Sequence, residues 1–156
     1  MLQWEWKLNQ FMKTPLILLI ALLAFACPAY SQTPTLPKII TDGFDVYKKD
    51  GAAKAFDTWL IGSPVEHDAS TRTTVVGNLQ MIESSYGKYS GYEYLGTVPF
   101  AQSTKRYYVV LLYEKGPLYA WFEVYTVGGQ DVIPSFDCNT KASLLLPETF
   151  FDKNSK

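Results

Sequence analysis

The stretch "RYYVVLLYEKGPLYAWFEVYTV", residues 106–127, decides the architecture. It is dense in aromatic and β-branched residues, and its one polar break, Glu114-Lys115-Gly116-Pro117, has the composition of a tight turn. The stretch therefore reads as two long strands folded into a hairpin. Side chains alternate across a strand. In the second strand Leu118, Ala120, Phe122 and Val124 face one way, and Tyr119, Trp121, Glu123 and Tyr125 the other. In the first, Tyr107, Val109, Leu111 and Tyr113 stand against Tyr108, Val110 and Leu112. Apolar residues on both faces mark a central pair, covered on both sides.

The same strand texture flanks the hairpin at 92–102 and 131–138, with turns at Ser103-Thr104 and Gly128-Gly129. Upstream the texture is helical. Ile40, Phe44 and Tyr47 recur at helical spacing until Lys48-Lys49-Asp50-Gly51 stops them. A short second helix carries Ala52, Phe56, Trp59 and Leu60 and ends at Gly62-Ser63-Pro64. A third starts near Asp68 or Ser70, either of which can cap it, and carries a stripe of Val75, Leu79, Ile82, Tyr86 and Tyr89. Helices first and strands second predict an α+β domain: two or three N-terminal helices packed on a curved antiparallel sheet of about four strands. Helices in a domain of this size cover one sheet face. The other needs the bend of the sheet, the apolar C-terminal run 144–147, a ligand or a second copy of the chain.

The first residues have a different character. Lys13 precedes an apolar block at 15–26, followed by Pro28, Ala29 and Ser31. That is the charged, apolar, small-residue order of a secretory signal peptide, and the block falls short of the ~20 residues of a membrane span. The expected organisation is a signal peptide at 1–31, with 1–11 read as a misassigned upstream start before Met12. A linker follows at 32–37, a single domain at 38–147 and a tail at 148–156. Cleavage near Ser31 yields a secreted or periplasmic protein with no transmembrane span. Cleavage before Cys27 would instead leave a cysteine for lipid attachment, although Phe25 suits that pattern poorly. After cleavage near Ser31 only Cys138 remains, so apolar burial rather than a disulfide must hold the fold.

The formal net charge is −1 with no basic stripe, which argues against nucleic acid as a partner. Glu66-His67-Asp68 sets two carboxylates beside the chain's single histidine, but adjacent residues seldom ligate one ion together, so neither a metal nor a cofactor is expected. Phosphate-binding and dinucleotide-binding glycine motifs are missing from the sequence.

The order of elements, with "AAKAFDTWLIGSP" at 52–64, "YYVVLLYEKGPLYAWFEVYTV" at 107–127 and "SFDCNTK" at 135–141, resembles the nuclear-transport-factor-two-like superfamily, the cystatin-like, cone-shaped α+β folds. More narrowly it resembles small uncharacterised secreted bacterial proteins of that fold. The resemblance implies a cone between helices and concave sheet, and dimerisation through the sheet. Many members open the last strand with a tryptophan. Here the position reads Gln130-Asp131-Val132, with Pro134 marking an edge strand or bulge.

The candidate site residues lie on the central strands. Glu123, flanked on its face by Trp121 and Tyr125, or its neighbour Asp137 in the next strand, is the candidate carboxylate for acid–base chemistry, together with a tyrosine such as Tyr125, because a desolvated carboxylate suits proton transfer. The alternative is a glutamate on an outer face, paired with Lys105 or Arg106 across the hairpin. Tyr119, Trp121 and Tyr125, with Tyr108 and Tyr113, are candidates for a ligand pocket or an interface. Cys138 alternates with Phe136 and reads as a buried thiol. The leading expectation is a non-enzymatic module that binds a small apolar ligand or a protein partner as a homodimer. The others are a cofactor-free acid–base enzyme of the isomerase or dehydratase type, and a structural envelope protein without a pocket.

Overall fold

The computed structural model describes residues 35–152. The expected signal peptide, Cys27 and the first linker residues lie outside them. Helix α1 spans Lys38–Asp50, α2 Ala52–Trp59 and α3 Ala69–Tyr86. Four strands follow: β1 Tyr89–Pro99, β2 Thr104–Tyr113, β3 Gly116–Val127 and β4 Gln130–Asn139. A 3-10 turn at Ala142–Leu144 and a short helix α4 at Thr149–Asp152 close the chain. The strands form one curved, open antiparallel sheet in the order β1-β2-β3-β4, so the fold is α+β with the aromatic hairpin at its centre. Among the described residues no helix is long and apolar enough to cross a membrane.

Local chemistry sets the boundaries. Asp68 caps α3 by accepting from the N–H groups of Ser70 and Thr71 and from the Thr71 hydroxyl. The Thr71 bonds, side chain first, hold its carboxyl below the ordinary carboxylate range. The β3–β4 hairpin turns at Gly128 and Gly129, at φ 59° and 79°. Two consecutive positive φ angles suit a tight turn between twisted strands and favour glycine at both sites. The β2–β3 turn is tied to the end of α3 by the Lys115 N–H, which donates to the Tyr86 carbonyl at 2.8 Å. Tyr89, expected on the third helical stripe, instead opens β1, because the chain leaves the helix at Gly87 with φ 85°.

One sheet face meets the helices. Val109, Leu111, Tyr113, Leu118, Ala120, Phe122 and Val124 are all buried there. From α1 come Ile40, Phe44 and Tyr47, at the spacing of one helical stripe, and from α2 come Ala55, Phe56 and Trp59. Aromatic rings fill the space between the layers. Phe44 stacks on Tyr92 at 4.4 Å and meets Trp59 edge-on at 5.3 Å. Trp59 in turn lies 5.2 Å from Phe122, which stacks on Phe136 at 5.5 Å. Each such ring contributes ~1.5–3 kcal/mol by burial, so this cluster dominates the stability of the domain. Trp59 satisfies its indole N–H on the Ile40 carbonyl at 3.1 Å. Where the end of α1 meets the ends of β1 and β2, Tyr47 stacks on Tyr89 at 4.5 Å and shares a buried hydroxyl–hydroxyl hydrogen bond with Tyr113 at 2.9 Å.

Candidate functional site

The opposite face of the sheet carries the chemistry, and the strand register lays it out in rows. Arg106 pairs with Val98 on one side and Glu123 on the other, and Glu123 pairs with Ser135. In the next row Gly96, Tyr108, Trp121 and Asp137 lie side by side, and in the third Val110, Tyr119 and Asn139. A β-bulge in β4 falls between Ser135 and Val132, where Pro134 sits on the sheet's edge strand and donates no ladder bond.

Arg106 is the hub of the first two rows. Its Nη2 donates to Glu123 Oε2 at 2.9 Å, and its guanidinium carbon lies 3.9 Å from the centroid of Trp121 and 4.8 Å from that of Phe100. A guanidinium between two rings is held by its own charge and by dispersion together. Its Nε is enclosed without a hydrogen-bond partner, so the stacked rings and the carboxylate replace part of its solvation. Phe100 is 55% exposed and Tyr125 41%. The patch thus presents aromatic edges to solvent around one cross-strand ion pair.

Part of this face, around Tyr108 and Gly96, is covered from within the chain. After Asn139, at the β4 edge, the polypeptide has to traverse the sheet to reach β1, because the Phe150 ring lies 5.1 Å from the Tyr108 ring and against Gly96. Tyr108 and Val110 are buried although they point away from the helices. Leu145, Leu146, Pro147 and Phe150 are half-buried.

Of the expected site residues, Tyr119, Trp121, Glu123, Tyr125 and Asp137 share this outer face. Tyr108 shares it too, beneath Phe150. Tyr113 does not: it stands on the core face with its hydroxyl on Tyr47. Glu123 is engaged with Arg106, while Asp137 accepts from the Cys138 N–H at 2.7 Å. Among the described residues no hydrogen bond joins the two carboxylates to each other or Glu123 to a tyrosine. The geometry is that of a cross-strand ion pair on an outer face. Phe100 is the contributor that strand reasoning passed over; an exposed ring in the turn after β1 was its only signal.

The loop cluster resolves into structural roles. Glu66 accepts from the Gly62 N–H at 2.9 Å and Asp68 caps α3. Among the described residues no group of three or more His, Cys, Asp or Glu is arranged around a common point for a metal. Cys138 lies on the core face opposite Ala120, and burial, with the Asp137 charge adding, pushes its thiol up to about 11. An open depression of about 440 Å³ lies where Lys38 and Ile39 of α1 approach Ile61, Gly62 and the start of β4. Of its rim charges, Lys38 and Asp42 pair with each other and Asp131 accepts from the Thr126 hydroxyl.

No protein-family model matches the chain, and no curated protein is significantly similar to it. Among solved structures it is similar to a DUF4783 family protein from Bacteroides uniformis, with a TM-score of 0.43 and 12% identity over 65% of this chain and 97% of that chain. A likeness of that size establishes neither a family nor a function.

Proposed function

We propose that the domain is a non-enzymatic binding module that self-associates through its outer sheet face, with the nuclear-transport-factor-two-like cone as its scaffold. The observation that carries this reading is the Phe100–Arg106–Trp121 stack beside Glu123 and Tyr125. Arginine, tryptophan and tyrosine are the residue types that anchor protein interfaces. The patch also carries one positive and one negative group side by side. In a two-fold contact the same patch meets itself, so each Arg106 can reach the other copy's Glu123.

The scaffold reading is supported by the element order and by the curved meander lying over the helices. A ligand inside the cone is the less favoured occupant, because Phe44, Trp59, Phe122 and Phe136 fill the centre of that space. The signal-peptide pattern supports action outside the cytoplasm.

Sedimentation velocity on residues 32–156 from micromolar to near-millimolar concentration tests the proposal. The expected result is a concentration-dependent dimer that Trp121→Ala dissociates. A chain that stays monomeric throughout, or a dimer indifferent to Trp121→Ala, refutes it. Native mass spectrometry of the same preparation tests the ligand alternative, which an adduct released on denaturation would favour.

A further inference from the structure

The C-terminal segment from Thr140 to Phe151 is attached to the sheet in an unusual way. Its backbone hydrogen bonds in the structure are local: Leu144 to Lys141, Leu145 and Leu146 to Ala142, Phe150 to Pro147 and Phe151 to Glu148. The one bond to a strand residue is from the Lys141 N–H to Asn139 Oδ1 at 2.8 Å, at the very end of β4, so among the described residues the segment beyond it is held down by side chains. Phe150 is the anchor. Its ring lies on Tyr108 and against Gly96, where even a methyl group would come within 3.0 Å. A four-residue helix such as α4 has no stability of its own, because helix nucleation is costly. The segment is therefore the part of the described domain that opens at least cost. Leu144 and Phe151 are themselves exposed, at 68% and 46%.

The Tyr108 ring it covers, and the buried Val110 one row further, continue the exposed patch. Tyr108 is the ladder partner of Trp121, and Val110 that of Tyr119. The patch alone is small. With Phe100 55% and Tyr125 41% exposed, and the Arg106 and Glu123 side chains 27% and 26%, it offers roughly 300 Å² at ~150–250 Å² per large side chain. A stable interface needs about 800 Å² from each partner.

We infer that residues 140–151 are a displaceable strap that limits self-association by occupying the part of the outer face a second copy of this chain needs. This rests on the self-association reading above. Lifting the strap adds Tyr108 and the Gly96 notch to the Phe100–Arg106–Trp121 patch, with Val110 in the next row, and enlarges a contact that is weak without them. The strap and the second copy compete for one surface.

The test uses residues 32–156 carrying Phe150→Ala. The ring lies outside the helix–sheet core, so the variant keeps its far-ultraviolet circular dichroism and its cooperative urea unfolding. Its dimer dissociation constant falls at least about tenfold relative to wild type, and adding Trp121→Ala returns it to monomer. In hydrogen exchange of the wild-type monomer, the amides of 144–151 exchange at least about a hundredfold faster than those of 107–112. A wild-type dimer that Phe150→Ala leaves unchanged or weakens overturns the strap while sparing the self-association reading. A monomer in both wild type and Phe150→Ala overturns both. Association of Phe150→Ala that survives Trp121→Ala marks non-specific stickiness and also overturns the strap, as does exchange at 144–151 as slow as in β2.

Discussion

Arg106 and Glu123 face each other directly across the β2–β3 ladder, and the same guanidinium that holds the carboxylate lies over the ring of Trp121, the residue two positions before Glu123. The two contacts differ in strength. The ion pair is part-exposed, with side chains 27% and 26% accessible, so solvent screens it and its coupling is about 1 kcal/mol or less. The stack adds ~0.5–2 kcal/mol and resists salt better. Glu123→Gln is therefore expected to cost less stability than Arg106→Ala. The difference should persist in 1 M NaCl while the Glu123 effect shrinks. Urea unfolding of both variants at low and high salt measures this. Equal losses that both vanish with salt would show that the ion pair, not the stack, holds Arg106.

The sharpest packing constraint lies between α1 and α2. A Cβ added at Gly43 would sit 1.9 Å from Trp59 Nε1, the atom that donates to the Ile40 carbonyl. Trp59 is 1% exposed and touches Phe44, Phe122 and Phe136, so it has nowhere to move. Gly43→Ala is a gain in intrinsic helix propensity, yet it is expected to destabilise the domain by about 3 kcal/mol through overpacking. Thermal unfolding decides: an unchanged or raised Tm would mean that the indole is not seated across α1.

Much of this architecture is legible in the residues. Strict alternation in 118–125 separates Phe122 and Val124 from Trp121 and Glu123, because one ladder step turns every side chain over. Which set meets the helices is not legible, since both are apolar; Trp59 and Phe44 decide it only once the layers are packed. Helical spacing also carries the eye from Tyr86 to Tyr89, although Gly87 has already redirected the chain into β1. The strap is the part least visible in one dimension. Phe150 sits in a segment of polar texture, and only a notch at Gly96, about 180 Å away along an extended chain, gives its ring a place.

The hydroxyls of Tyr47 and Tyr113 satisfy each other where water does not reach. Removing the Tyr47 hydroxyl strands that of Tyr113, at ~1–3 kcal/mol, whereas removing both leaves rings of the same shape. Tyr47→Phe is thus expected to cost more than the double change Tyr47→Phe/Tyr113→Phe. Additive single losses in chemical denaturation would contradict a mutual bond. The pair also sets an alkaline limit. Burial, reduced in part by the Tyr47 bond, holds the Tyr113 phenol up to about 12, above its ordinary value of 10.0, and burial raises Tyr47 and Tyr89 as well. The folded chain keeps protons that the unfolded chain releases. The stabilisation is therefore complete below pH 10 and is lost as pH rises from 10 through about 12. Phenolate absorbance near 295 nm should show these tyrosines ionising together with unfolding, and an early, non-cooperative titration of every tyrosine would contradict their burial.

Cys138 gives the last prediction. It stands on the core face opposite Ala120, and burial with the nearby Asp137 charge raises its thiol from 9.0 to about 11. The thiolate is the reactive species, so a rise of that size lowers its population about a hundredfold at neutral pH, by tenfold per unit. In residues 32–156, where it is the only cysteine, native Cys138 should react with a disulfide reagent at pH 7 at least about a hundredfold more slowly than in urea. The native rate should also keep rising with pH beyond 9, where an exposed thiol levels off. A native rate within a few-fold of the denatured one would mean that the β3–β4 edge opens readily enough to expose the core face, and would place the weakest part of the domain there rather than at the strap.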